Sequence, residues 1–183
     1  DWVLRHLPKV APASPTQEIQ DGSTIYYRGN PLVLRIHPNV VPLSLILHNE
    51  GELHICPAFN QQQTVKEMLQ EWLFEKASIM IREDVQKESE RMGLASSYGN
   101  ITIRNQKTKW GSCSKQGNLS FNWRLILFPD QVRRYIIIHE LCHLWKFDHS
   151  PEFWDLVERF DPCYQSSLTW LKDHAAEYER DVR

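Results

Sequence analysis

Long apolar runs are missing from this chain. Stretches such as Tyr135 to Ile138 fall far short of the ~20 residues a bilayer-spanning helix needs, so no membrane span is expected. Cysteine is sparse as well. Cys56, Cys113, Cys142 and Cys163 form no CxxC pair, and their spacing is not that of a disulfide framework. The first residues lack the charged start, apolar middle and small-residue cleavage site of a secretory signal. A reduced, cytoplasmic setting is the expectation, although a chain opening on Asp1 can have lost a targeting segment. Net charge is nearly absent at -2, so no bulk field draws the protein to nucleic acid or anionic lipid. Internal repeats are absent too.

What is present reads as a globular α+β chain. With 42% hydrophobic and 24% charged residues over 183 positions, one well-cored domain is expected, neither disordered nor fibrous. Pro8, Pro12 and Pro15 mark residues 1–20 as a flexible arm. The remainder, 21–183, reads as a single domain, β-rich over 21–60 and helical over 61–183.

In the β-rich part, Thr24 to Arg28 and Leu32 to His37 flank a Gly29-Asn30 turn. Leu43, Leu45 and Leu47 alternate up to an Asn49-Glu50-Gly51 turn, and Leu53 and Ile55 resume beyond it. Two hairpins are expected. The period then changes to 3.6. Thr64 and Glu67 form a capping-box pattern, and a stripe follows through Val65, Met68, Leu69, Trp72, Lys76, Ile79, Met80 and Glu83. The helix should stop at Gly93. Ile101 and Ile103 alternate in a short strand, residues 106–117 read as a loop, and Asn118 to Trp123 as a strand. Pro129 fits a first helical position, and Ser150-Pro151 and Asp161-Pro162 each look like a cap followed by such a proline.

His139-Glu140-Leu141-Cys142-His143 is an HExxH motif on the face shared by Val132, Tyr135 and Ile136. Residues four apart on a helix project from one side, so His139 and His143 can offer two imidazoles to one zinc ion. Glu140 is rotated by about 100° and can act as general base on water without being a ligand. A chance match in a chain of this composition has a probability of roughly 2 to 3 in 100, and a chance match need not fall on an apolar helix face. A third ligand is required, with one zinc per chain. His149 is the first choice, folded back by a turn before Ser150. Glu152, Asp155 and Glu158 on the next helix are rivals, as is Cys113 upstream.

The run Lys109-Trp110-Gly111-Ser112-Cys113, then Asn122-Trp123-Arg124-Leu125, then HELCHL, then His149-Ser150 and Phe153-Trp154 resembles the YgjP-like metal-dependent hydrolases. That family is similar to the minimal gluzincins and to SprT-like proteases. The resemblance runs from about Thr24 to Ala175 and implies a small zincin-like peptidase fold. It implies His139, His143 and His149 as ligands and Glu140 as base, while kinship with the gluzincins keeps a carboxylate in play as third ligand. Lys109 stands where many relatives carry Arg.

The implied reaction is peptide-bond hydrolysis. A non-protein amide or ester substrate, or an inactive zinc-binding interaction module, are the alternatives. Phe121 and Asn122, on the strand before the active helix, are candidates to contact an extended peptide substrate. Tyr135, His174 and Tyr178 are candidates for stabilising the oxyanion. The seven tryptophans divide between core and ligand groove. Residues 100–146 carry eight Lys and Arg against two acids, a local excess that admits nucleic-acid association without requiring it.

Overall fold

The structure, a computed structural model, describes residues 18–37, 44–58, 62–106, 108–179 and 182. The arm expected over residues 1–20 lies outside these up to residue 17, as does Leu43. No helix among the described residues is long and apolar enough to cross a membrane.

Two hairpins open the fold, as the alternation implied. Strands β1 (Thr24–Tyr27), β2 (Asn30–Ile36), β3 (Leu45–Asn49) and β4 (Glu52–Cys56) form one sheet in the order β1-β2-β4-β3. Each hairpin is antiparallel, and β2 runs parallel to β4 where they meet. Alternation sends Ile25, Leu32, Leu34, Leu53 and Ile55 into the core. The β1–β2 turn is anchored far away in sequence: the Arg28 and Gly29 amides donate to the carbonyls of Ile126 and Leu127. Gly29 has φ +79°, and a Cβ there would lie 2.8 Å from the Pro129 ring, so both conformation and space require glycine.

Helix α1 spans Val65–Met92, closed at its start by the reciprocal Thr64–Glu67 box and at its end by Gly93 in a left-handed conformation. Its buried face departs from the expected stripe in the second half. Leu73, Ala77, Ile81 and Val85 are buried, whereas Ile79 is 47% exposed. The neighbours crossing α1 select the row four residues apart, which the composition of the stripe did not distinguish.

A second sheet follows, with β5 (Ile101–Arg104), β6 (Gly111–Cys113) and β7 (Leu119–Asn122) in the order β5-β7-β6. β5 is parallel and β6 antiparallel to β7. The stretch 106–117, expected to be a loop, therefore contains a strand. Gly-Ser-Cys has no strand signal of its own, and its pairing with Ser120 and its neighbours makes it one. A 3-10 turn (Trp123–Leu127) leads to α2 (Asp130–Cys142), α3 (Pro151–Phe160) and α4 (Tyr164–Glu179). Pro129 is the residue before α2 rather than its first member. Ser150-Pro151 does open α3, but Asp161 closes α3 instead of capping α4.

Ion pairs fasten α1, α2 and α3 together. Arg133 bonds to Asp84 at 2.7 Å and Asp130 at 2.9 Å. Glu88 accepts from Arg134 at 2.8 Å and from Arg91 at 2.7 Å, and both arginines also reach the Phe160 carbonyl. Arg124 is buried and bonded to Asn105. Three of the eight bases in the positive segment are thus committed to internal contacts.

Burial opposes charge on Glu88, yet Arg134 and then Arg91 outweigh it and hold the carboxyl below its ordinary value. Glu88→Gln should cost about 2 kcal/mol in urea unfolding at neutral pH. Because the folded pKa is the lower one, this stabilisation is complete above the ordinary value of 4.5. It is lost as pH falls through the folded value, so parent and variant should converge in acid.

Candidate metal centre

Helix α2 sets His139 and His143 one turn apart, with ring centroids 5.0 Å from each other. The chain leaves the helix at His143 and turns back through residues 144–149, where Asp148 accepts from the Ser150 amide. His149 Nε2 arrives 3.2 Å from His139 Nε2. One nitrogen from each of His139, His143 and His149 lies within 4.8 Å of the others.

The electrostatics suit a cation. Burial pushes His139 well below its ordinary pKa and takes His149 down to about 4, with the neighbouring imidazoles adding to both effects. Burial lowers His143 too, against the pull of the Lys146 carbonyl. All three are therefore neutral, the form that binds metal. His143 Nδ1 lies 3.0 Å from the Lys146 carbonyl; donating there leaves Nε2 with a free lone pair. His139 and His149 direct two ring nitrogens at each other, an arrangement in which two neutral rings can share only one proton. Tetrahedral zinc with Zn–N near 2.0–2.1 Å places ligand nitrogens about 3.3 Å apart. The donor set fits such an ion.

Phe153 forms the wall behind this cluster. It is fully buried, with centroids 5.0, 4.6 and 4.8 Å from the rings of His139, His143 and His149. Trp154 lies 5.8 and 5.9 Å from His139 and His149. Helix α3 thus presents aromatic residues to the imidazoles, while Glu152, Asp155 and Glu158 are exposed. Cys113 is not among the grouped donors; burial, with Glu140 adding, pushes its thiol up to about 11.

Glu140 is wedged between α2 and β6. Its side chain occupies the space above Gly111, where a Cβ would lie 2.7 Å from its Cγ and 2.8 Å from Oε1. The Cys113 N–H donates to its carboxylate. Burial raises Glu140 to about 8, opposed first by the charge of Lys109 and then by this amide. The Trp-Gly-Ser-Cys stretch acquires a role here: it is the strand that seats Glu140. Sequence reasoning named Gly111 and Phe153 among the residues that carry the family resemblance but gave neither a role, because what each one touches is set by the packing of β6 and α3 against α2. Gly111→Ala should displace the carboxylate and lower kcat/KM by ten- to a hundredfold with metal retained, measured as turnover per bound metal.

The substrate candidates Phe121 and Asn122 lie in the interior. Both are buried in β7, the central strand of its sheet. The Asn122 amide is spent on the carbonyls of Gln106 at 2.8 Å and Lys109 at 3.1 Å, and its oxygen accepts from Arg124 N. A central strand has no edge to offer a peptide. Of the oxyanion candidates, Tyr135 is fully buried, with its ring 6.0 Å from that of His139 and its hydroxyl without a hydrogen-bond partner among the described residues; Tyr178 stacks on Tyr26 and donates to the Gly29 carbonyl, and His174 lies against Trp170.

Residues 1–174 match the family model described as YgjP-like, metallopeptidase domain. The chain belongs to this family. No curated protein matches it. Among solved structures it is similar to the crystal structure of the metallopeptidase zymogen of Pyrococcus abyssi abylysin. That likeness has 22% identity and a TM-score of 0.45 over 52% of this chain and 95% of that one. A YgjP-like metallopeptidase domain implies a bound metal ion, and in this α+β member the three imidazoles are the described residues grouped to hold it.

Proposed function

We propose that this YgjP-like chain is a zinc-dependent peptidase in which His139, His143 and His149 hold the metal and Glu140 manages the proton. The observation carrying this reading is the convergence of three neutral imidazoles beside a buried carboxyl clamped by the Cys113 amide. A divalent zinc supplies Lewis-acid polarisation of the carbonyl and of the attacking water. The charge of a bound cation would favour the ionised carboxyl against its burial, and Glu140 then takes the water proton and delivers it to the departing amine. Gly111 and the Cys113 amide fix where that carboxylate sits.

The geometry of β6 supports a peptide substrate. Ladder bonds run from Asn122 N to the Trp110 carbonyl and from Ser114 N to the Asn118 carbonyl. By antiparallel alternation, the peptide groups of Gly111 and Cys113 point away from β7. No described strand pairs with β6 on that side. The Cys113 N–H on this side is taken by Glu140, so an extended peptide adding there would pair with the Gly111 N–H and carbonyl and the Cys113 carbonyl, beside Glu140. The free thiols of Cys56, Cys113, Cys142 and Cys163 accord with the cytoplasmic setting included in this proposal.

Metal content tests the reading first. Protein purified without added metal or a histidine tag should carry about one zinc per chain by elemental analysis. A chain that holds none, and takes up none on addition, overturns the proposal.

A further inference from the structure

A second pair of facing imidazoles lies outside the metal centre. His37 Nε2 and His54 Nδ1 are 2.9 Å apart, and the two rings stack with centroids 5.2 Å apart and planes 17° from parallel. The pair straddles a seam. The β1–β2 and β3–β4 hairpins join where β2 runs parallel to β4, and parallel pairing is slightly the weaker kind per residue. His54 stands within β4, paired to Arg35 on one side and to Leu47 on the other. His37 follows β2 directly, and its amide donates to the Ile55 carbonyl at 2.9 Å. Both rings are therefore mounted on backbone that the sheet holds.

The other nitrogen of His54 faces a carboxylate. His54 Nε2 is 3.4 Å from Glu52 Oε2, and Arg35 grips Glu52 Oε1 through Nε at 2.9 Å and Nη2 at 2.7 Å. A histidine whose far N–H is taken by a carboxylate keeps its lone pair on the nearer nitrogen, here Nδ1, as metal-ligating histidines do. Glu52 also neutralises the guanidinium of Arg35, which would otherwise repel a cation. Without an ion, His37 Nε2 donates its proton to His54 Nδ1 and the contact is a hydrogen bond. With an ion, that proton moves to Nδ1 of the exposed His37, and both facing nitrogens turn their lone pairs on the metal. Their 2.9 Å separation is within a few tenths of an ångström of the ~3.3 Å between ligand nitrogens on tetrahedral zinc. No further His, Cys, Asp or Glu among the described residues closes on this pair as His149 does on His139 and His143. Water completes such a shell, and the ion exchanges readily.

We propose that His37 and His54 form a second, labile site for a divalent transition-metal ion of imidazole preference, zinc or copper(II), which cross-links the two N-terminal hairpins. The site does not depend on the peptidase reading.

Protein already carrying its first zinc is dialysed against rising free zinc at neutral pH, and bound metal is counted by elemental analysis. Half the protein ligands of a structural zinc site predicts a further equivalent, half-saturated between about 1 and 100 µM free zinc. His37→Gln and His54→Gln should each push that equivalent beyond about 1 mM and leave the tight zinc in place. Glu52→Gln should weaken it about tenfold, the scale of an outer partner. His143→Ala should do the reverse, losing the tight zinc and keeping the micromolar one. At ten times the half-saturating zinc, thermal unfolding should rise by about 3–6 °C, and His37→Gln should show no such rise. The histidine ring signals that move in NMR as this equivalent binds should be those of His37 and His54. No further equivalent below about 100 µM, one that survives both histidine variants, or binding with no gain in thermal stability overturns the assignment. A His37-dependent micromolar zinc in a parent that holds no tight zinc counts against the three-imidazole centre and leaves this site standing.

Discussion

Glu140→Gln should lower turnover by about a thousandfold, the scale of a positioned general base, while leaving one zinc per chain. The amide preserves the shape that fits above Gly111 and can still accept from the Cys113 N–H. What it loses is the ability to take a proton from water. Burial, opposed by Lys109 and the Cys113 amide, still raises the carboxyl to about 8, which means that charge at this position is costly to the fold. A neutral amide removes that cost, so thermal unfolding at neutral pH should occur at the parent's temperature or above it. The pattern of inactive, metal-loaded and undiminished in stability separates a catalytic role from a structural one. A variant that cleaves as well as the parent with its zinc in place would refute Glu140 as the base and, with it, hydrolysis at this site.

His149→Ala should weaken zinc binding by more than about a hundredfold, beyond what loss of an outer hydrogen-bond partner produces. The competing ligands are tested alongside. Glu152→Gln, Asp155→Asn and Glu158→Gln should each leave the metal stoichiometry unchanged, because their helix directs Phe153 and Trp154 at the imidazoles and these carboxylates at solvent. Competition with a chromogenic chelator reads all four variants on one scale. If one acidic variant loses the metal while His149→Ala retains it, the third ligand is a carboxylate, and the turn after His143 must open to admit it.

Local spacing carried much of the site. His139 and His143 stand four apart on a helix, so their common face follows from helical geometry and needs no knowledge of the fold. The Thr64–Glu67 box and Gly93 likewise announced both ends of α1, because a cap is a contact between residues three or four apart. The two N-terminal hairpins were readable from alternation and turn residues. His149 was a weaker case. Its position after a predicted helix end made a return plausible, but the 3.2 Å approach to His139 depends on where α3 begins and on Phe153 filling the space behind.

By itself, then, the sequence determined that His139 and His143 share a helix face and that the chain is α+β. Tertiary structure alone decided how Glu140 is seated and which strand has a free edge. Strand β6 is three residues long and has no periodicity to detect. It exists because β7 supplies its hydrogen bonds across the intervening turn. The same pairing makes Phe121 and Asn122 part of a central strand and leaves the unpaired side to Gly111 and Cys113. A strand's neighbours on each side are set by contacts between segments far apart in the chain, and those contacts leave no period in the residues that make them.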